Sequence, residues 1–211
     1  MYRFKTLVVI TVLTLLVTGC HPGTTGQTRF QEVVDVHRNL PSSVERSMFP
    51  TWFNPDLFPD AEKKVELTDE EWMERLSEQE FCVLRTEQTD MPFANKYNHV
   101  DDEGVYVCRG CSLPLFSSST KFPSSSGWPS FFAPLSTEQV GVKFDTSHGM
   151  RRTEVHCIRC SGHLGHIFED GPRPTGLRYC INSSSIRLIT EEIHQLIVEG
   201  RTDELDFTIK K

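Results

Sequence analysis

"HCIRCSGHLGHIF", residues 156–168, carries two cysteines and then two histidines at steps of three: Cys157, Cys160, His163 and His166. Either one metal ion takes all four side chains, or the cysteines and the histidines serve separate tasks. A second C-x-x-C pair, "CRGC" at 108–111, bears on the choice, because each pair supplies two thiolates and four fill the tetrahedral shell of a single zinc ion. Paired C-x-x-C motifs are a strong zinc signal, although the gap between these two is wider than in a compact ribbon. Disulfides are the competing use of the same cysteines in an exported protein, but a two-residue gap suits a metal knuckle. The rival shell of Cys157, Cys160, His163 and His166 crowds its ligands together and leaves "CRGC" stranded. A zinc ion on Cys108, Cys111, Cys157 and Cys160 would fasten two distant parts of the chain and contribute to folding outright. His163 and His166 are then left without a metal, rigidly placed beside a knuckle where a fixed base is useful for chemistry.

Around these motifs the pattern is of period two. "GVYVC", "VGVKF", "EVHCI" and "GLRYCINSSSIRLI" are short, rich in Val, Ile and aromatics, and divided by Gly, Pro and Ser. They predict one small, mainly antiparallel β domain with peripheral helices. "LTDEEWMERLSEQEF" reads as a helix with Thr68 as N-cap, Glu71 as its box partner, and Trp72, Met73 and Leu76 on one face; "EEIHQLIVEG" reads as a second. Nothing repeats internally. A net charge of -7 over 211 residues offers no basic face for nucleic acid.

The N-terminal part belongs to a different regime. Arg3 and Lys5 precede an apolar run from Leu7 to Val17 that is short for a bilayer span, and "VTGC" follows. Residues 1–19 therefore read as a lipoprotein signal peptide and Cys20 as the lipid acceptor, with a plain secretory signal as the alternative. Acyl chains on Cys20 would anchor the protein to a membrane, in the cell envelope and facing the periplasm or the outside. His21 in place of an aspartate slightly favours the outer membrane of a Gram-negative cell. Residues 20–65 read as a tether and extended arm, because "HPGTTGQT" is linker-like and "FPTWFNPDLFPD" is cut by three prolines. The domain is expected over 66–211.

A reactive thiol is offered by "RYCINS". On a strand, Arg178, Cys180 and Asn182 alternate onto one face, and a thiol beside a guanidinium and near imidazoles is held partly as the nucleophilic thiolate. The plain alternative is a small buried hydrophobe.

"CRGCSLPLF", "KFPSSSGWPSF", "CIRCSGHLGHIFEDGPRPTGLRYCINS" and, more loosely, "TDMPF" together resemble the successive signatures of the type B methionine-R-sulfoxide reductases, from about Leu67 to Ile189. The resemblance implies two small antiparallel sheets, a structural zinc on Cys108, Cys111, Cys157 and Cys160, and Cys180 as the nucleophile. It also implies a substrate site of Trp128, His163, His166 and Asn182. An indole held between Gly127 and Pro129 can receive the substrate's S-methyl group. The histidines and Asn182 can position the sulfoxide and protonate its oxygen while Cys180 attacks sulfur and becomes a sulfenic acid, with Arg178 helping to hold the thiolate. The substrates implied are proteins or peptides containing methionine sulfoxide, turned over by a monomer.

One position departs from the commoner pattern. Many relatives carry a resolving cysteine two residues before the tryptophan; here that residue is Ser126, and a hydroxyl cannot replace a thiol in exchange. Cys82 is the internal candidate for the resolving role; otherwise a small thiol or a thioredoxin-like protein must reduce Cys180 directly. A zinc-scaffold binding module with an inert Cys180 is the alternative from another class.

Overall fold

The alternating runs do form short strands, and all of their pairings are antiparallel. The structure, a computed structural model, describes residues 26–40 and 48–204; the leader, Cys20 and the start of the tether lie outside the described residues. A three-stranded sheet consists of β1 (Val105–Cys108), β2 (Pro114–Ser117) and β9 (Ile186–Ile189) in the order β2-β1-β9. A six-stranded sheet consists of β3 (Lys121–Phe122), β4 (Ser130–Phe131), β5 (Val140–Asp145), β6 (Arg152–Cys157), β7 (His163–Phe168) and β8 (Arg178–Ile181), ordered β3-β4-β8-β7-β6-β5. Among the described residues, four α-helices lie around them: α1 (Gly26–Arg38), α2 (Asp69–Arg75), α3 (Glu78–Thr86) and α4 (Glu191–Val198). The expected mainly β architecture of two antiparallel sheets is what the chain adopts.

The sheets meet through aromatic rings. Phe116 of the smaller sheet stacks on Phe131 of the larger at 4.6 Å between centroids, and Tyr106 meets the same ring edge-on at 5.0 Å. Because side chains alternate along β1, Tyr106 enters this core while Val105 and Val107 face the opposite side. That opposite side is covered by the proline-rich arm. Met48 and Phe53 are buried against Val105, Val107 and Ile189, and Phe58 stacks on Phe53 at 4.8 Å. His194 of α4 closes this second cluster, accepting a hydrogen bond on Nε2 from the Asn54 backbone at 3.0 Å. The arm is thus the second cover of a sheet that would otherwise leave one apolar face in water.

Three readings need correction. The helix expected over 67–81 is two helices, because Leu76 is extended (φ -113°, ψ 149°) and Ser77 starts a new capping box with Glu80 just as Thr68 does with Glu71. Of the three side chains assigned to one face, Trp72 and Leu76 are buried but Met73, one residue and about 100° further round the helix, is 55% exposed. The segment read as tether and extended arm is helical over Gly26–Arg38, where Val33, Val34 and His37 are buried. His37 Nδ1 lies 2.9 Å from the Tyr179 hydroxyl, and burial lowers its pKa to about 4, so the ring docks neutral.

"GLRYCINSSSIRLI" also divides. A 3-10 turn at Ser183–Ser185 carries the chain from β8 in the larger sheet to β9 in the smaller one. Cys180 therefore sits just before the point where the chain changes sheets.

Candidate active site

Each C-x-x-C pair is the turn of a hairpin. Cys108 ends β1 and Cys111 precedes β2; Cys157 ends β6 and Cys160 precedes β7. Both turns are built alike: Ser112 (φ 61°) donates its N–H to the Cys108 carbonyl at 2.8 Å, and Ser161 (φ 57°) donates to Cys157 at 2.9 Å. The four sulfurs lie within 4.8 Å of one another, with Cys108–Cys160 at 3.6 Å and Cys111–Cys157 at 3.5 Å. These are far longer than a disulfide and close to the roughly 3.8 Å edge of a tetrahedron with metal–sulfur bonds of about 2.3 Å. Interaction with Cys111, then with Cys157 and Cys160, and burial push the Cys108 thiol well up, so four thiolates need a cation among them. The cluster fits a structural metal, which would clamp one hairpin of each sheet to the other. Arg159 and Arg85 donate to the carbonyls of Cys111 and Cys160, at 2.9 and 2.8 Å, and tie the turns further. His163 and His166 lie outside this cluster.

The second hairpin sets the chemistry of the first strand pair beyond it. In the larger sheet, register places His166 of β7 opposite Cys180 of β8, and Ser130 of β4 opposite Cys180 on its other flank. Gly165 permits the close approach: a Cβ there would lie 2.0 Å from the Cys180 carbonyl oxygen. Cys180, His166, Asn182, Trp128, Arg152 and Phe168 line a small cavity of about 90 Å³, with Gly165 and Thr89 completing it. This volume can receive a small group such as a methyl thioether.

The electrostatics of that cavity follow from its neighbours. His166 Nε2 is 2.8 Å from Asp145 Oδ2, which also accepts from Arg152 Nη2 at 2.6 Å, while Asp145 Oδ1 accepts from the Ser147 N–H at 2.7 Å. Burial pushes Asp145 up, but the bonds from Ser147, His166 and Arg152 outweigh it and hold the carboxyl well below the usual range. Burial lowers His166 more than Asp145 raises it, so the ring is neutral at rest. An ionised Asp145 takes the Nε2–H, and Nδ1 is left as the basic nitrogen. Burial raises the Cys180 thiol; the Ser126 hydroxyl, 3.8 Å from Sγ, and the charge of Arg178 oppose it. Arg178 is fixed by two bonds to Asp170 at 2.8 and 2.9 Å and lies 4.4 Å over the Phe168 ring, with Nη1 buried and unbonded.

A strap outside the sheets holds the remaining wall. Asp90, 4% exposed, gives its N–H to Asn182 Oδ1 at 2.9 Å and accepts Trp128 Nε1–H on its carbonyl at 2.9 Å. Its carboxylate accepts from Ser184 N, Ser184 Oγ and Gln79. One residue thereby sets both the amide and the indole. Gly127, at φ 91°, lets the Trp128 loop pass within contact of Pro92 and Phe93.

His163 does not line the cavity. It is 2% exposed, its ring centroid is 5.3 Å from that of His166, and its Nδ1 is 3.1 Å from the buried Glu154, off the line of a hydrogen bond. Glu154 is paired in turn with Lys143 at 3.2 Å. Cys82, on α3, opens onto a separate cavity with Thr89 as the shared wall. Asp145, Arg152 and Asp90 were missed in the sequence: nothing in their local runs marks them, and they are joined to the site only by register or by the strap.

A thiol flanked by a neutral imidazole–carboxylate pair and an apolar wall of indole and phenyl defines a thiol-dependent enzyme class acting on a small apolar group. Comparison with known proteins agrees. The SelR domain matches residues 76–190. "Peptide methionine sulfoxide reductase MsrB" of Pseudomonas fluorescens is 52% identical over 130 residues, 62% of this chain and 99% of that protein. The proteins of the same name from Methanosarcina barkeri and Leptospira interrogans are 51% and 49% identical over 63% and 61% of this chain and 93% and 98% of theirs. The chain belongs to the SelR domain family.

Proposed function

We propose that the protein is a peptide-methionine (R)-S-oxide reductase, with Cys180 as nucleophile and His166 as proton carrier. The observation that carries this is the cavity itself, which brings Cys180, His166, Asn182 and Trp128 from three separate stretches onto one volume matched to a methyl sulfoxide. The non-catalytic binding reading is not favoured, since a binder has no use for an ionised Asp145 aimed at the ring beside a thiol.

The resting pair is a thiol and a neutral imidazole, which together hold the one proton the reaction needs. As Cys180 sulfur attacks the sulfoxide sulfur, its proton passes through His166 to the sulfoxide oxygen, with Asp145 stabilising the transient imidazolium. The hydroxyl then passes from the substrate sulfur to the Cys180 sulfur as the substrate's sulfur–oxygen bond and the transient sulfur–sulfur bond break, so that methionine leaves and Cys180 is left as sulfenic acid. Trp128 and Phe168 take the methyl end, and Asn182, held by Asp90, orients the polar end. His163 supports His166 from behind. One external thiol attacks the sulfenic sulfur and expels water, and a second releases the mixed disulfide, returning Cys180 to the thiol. Direct reduction is favoured because Ser126, not a thiol, stands beside Cys180 and Cys82 opens onto the neighbouring cavity. A small thiol or a thioredoxin-like protein would fill this role; an intramolecular disulfide that disappears in Cys82→Ser would instead make Cys82 the resolving cysteine.

The decisive test is turnover of separate R and S epimers of a methionine-sulfoxide substrate with dithiothreitol. Reduction of R alone, lost in Cys180→Ser, is expected; no turnover of either epimer by folded protein would overturn the reading. Zinc suits a closed tetrahedral shell of four thiolates on Cys108, Cys111, Cys157 and Cys160, where it would supply structural cross-linking. The apolar run ending in "VTGC" supports a lipid anchor on Cys20 and placement in the cell envelope; absence of precursor build-up under globomycin would sink that assignment.

A further inference from the structure

Strand register lays one row of side chains across the catalytic face of the larger sheet. Lys143 of β5 stands opposite Glu154 of β6, Glu154 opposite His166 of β7, His166 opposite Cys180 of β8, and Cys180 opposite Ser130 of β4. Residues directly opposite one another share a face, so Glu154 lies on the side of the reacting pair while its neighbours Thr153 and Val155 point to the other. His163 reaches the same side through an irregularity. Three residues from His166 on a regular strand, it would face away; the register shift between Val155 and His156 passes over Leu164, sets His163 opposite His156, and brings its ring back to that of His166.

Glu154 is a carboxylate buried from water, which is costly unless it is paired. Both of its oxygens are engaged: Oε1 is 3.1 Å from His163 Nδ1 and Oε2 is 3.2 Å from Lys143 Nζ. Lys143 also meets Glu87, the residue that ends α3, at 2.7 Å. Burial pushes the Glu154 carboxyl up, but His163 and Lys143 outweigh that and keep it ionised. Among the described residues neither buried nitrogen of His163 makes an aligned hydrogen bond, so the charge of Glu154 is what orients its ring. That ring packs edge-on against His166, with 5.3 Å between centroids. Asp145 holds His166 by one nitrogen, and a ring tied at one atom can still swing; the contact with His163 removes that freedom.

We propose that Glu154 is a positioning residue for the reaction and acts through His163: its carboxylate fixes the His163 ring, and that ring holds His166 in line with Cys180. This rests on the reductase reading above and gives the imidazole a second support. Asp145 and His163 lie on opposite sides of His166 along the strands, so the two supports are separate.

The test measures kcat and KM with a peptide of methionine-(R)-sulfoxide and dithiothreitol for the wild type, Glu154→Gln, His163→Gln and the double variant, each checked for a melting transition. Glu154→Gln keeps the shape of the side chain. It is expected to lower kcat about tenfold, part of the roughly hundredfold that a misplacement of about 1 Å costs, with KM within about twofold of the wild type. Because Glu154 acts through His163, the double variant should be no slower than His163→Gln alone. Should the buried substitution fail to fold, Lys143→Met at the half-exposed end of the row strips Glu154 of its other partner; it is expected to lower kcat about threefold in the wild-type chain and not at all beside His163→Gln. Histidine 15N signals, assigned by substitution, read the same link without turnover: Glu154→Gln should move those of His166 in the wild-type chain and leave them in place beside His163→Gln. An unchanged kcat in Glu154→Gln, a loss that multiplies with that of His163→Gln, or His166 signals that Glu154→Gln does not move would each overturn the proposal. Wild-type protein that turns over neither epimer overturns the reductase reading, and the 15N signals still decide whether Glu154 sets His166.

Discussion

Two groups of thiols in this chain have opposite fates. Cys108, Cys111, Cys157 and Cys160 are buried with their sulfurs turned on one another, so that they answer only to a cation. Cys180 is half-buried and faces a serine hydroxyl, a guanidinium and an imidazole, so that it answers to an electrophile. The residue type is the same and the neighbours decide. The two groups are also mechanically joined, because the Cys157–Cys160 turn starts the strand that carries His166. The metal end thus supplies the stiffness on which the reactive end depends.

The comparison breaks most visibly if the metal is removed. Chelation, or Cys160→Ser, is expected to forfeit about 10 kcal/mol of folding free energy and with it the fold and activity, as read by thermal melting and circular dichroism. A metal-free protein with an unchanged melting curve would show that the cluster holds no ion. At the reactive end, Asp145→Asn should leave the melting temperature nearly intact while lowering kcat roughly a hundredfold, since the imidazolium loses its partner. The pH profile distinguishes this from simple damage. With Asp145 held ionised far below neutrality, the wild-type rate should show no acid limb from it and should fall at alkaline pH, where Cys180 loses to solvent the proton that the sulfoxide oxygen needs.

Asp90→Ala sharpens the division between holding and reacting. It removes the carboxylate that accepts from Ser184 and Gln79, and is expected to cost about 2 kcal/mol of stability and to raise KM more than it lowers kcat, because the strap loosens Asn182 and Trp128. Iodoacetamide labelling of Cys180 should be almost unaffected. The smallest effect is expected for Ser126→Ala. Its hydroxyl lowers the Cys180 pKa, so its loss should move the labelling-versus-pH curve to higher pH and slow labelling at neutral pH by about twofold. A shift in the other direction would mean that Ser126 does not stabilise the thiolate.

Much of this was legible in the residues. The C-x-x-C spacing, the alternation that sets Cys180 and Asn182 on one side, and the strand-like runs are all local, and local geometry follows from the backbone's fixed periods. The failures were equally physical. One helix became two because Ser77 and Glu80 offered a second capping box, and Met73 faced water because neighbours on a helix point in different directions. The N-terminal stretch looked like a linker because its polar composition hid the spacing of Val33, Val34 and His37.

The sequence by itself determined which residues could ligate a metal, which cysteine was spare, and that short antiparallel strands would carry them. The spacing of covalently linked neighbours is enough for that. Only the tertiary structure decided that Asp145 would reach His166, that Asp90 would hold Asn182 and Trp128 together, and that α1 would dock on Tyr179 behind the strand of Cys180. Those meetings depend on strand register and on docking between segments far apart in the chain, where the favourable partner is chosen by the packing of the whole core and not by any local period.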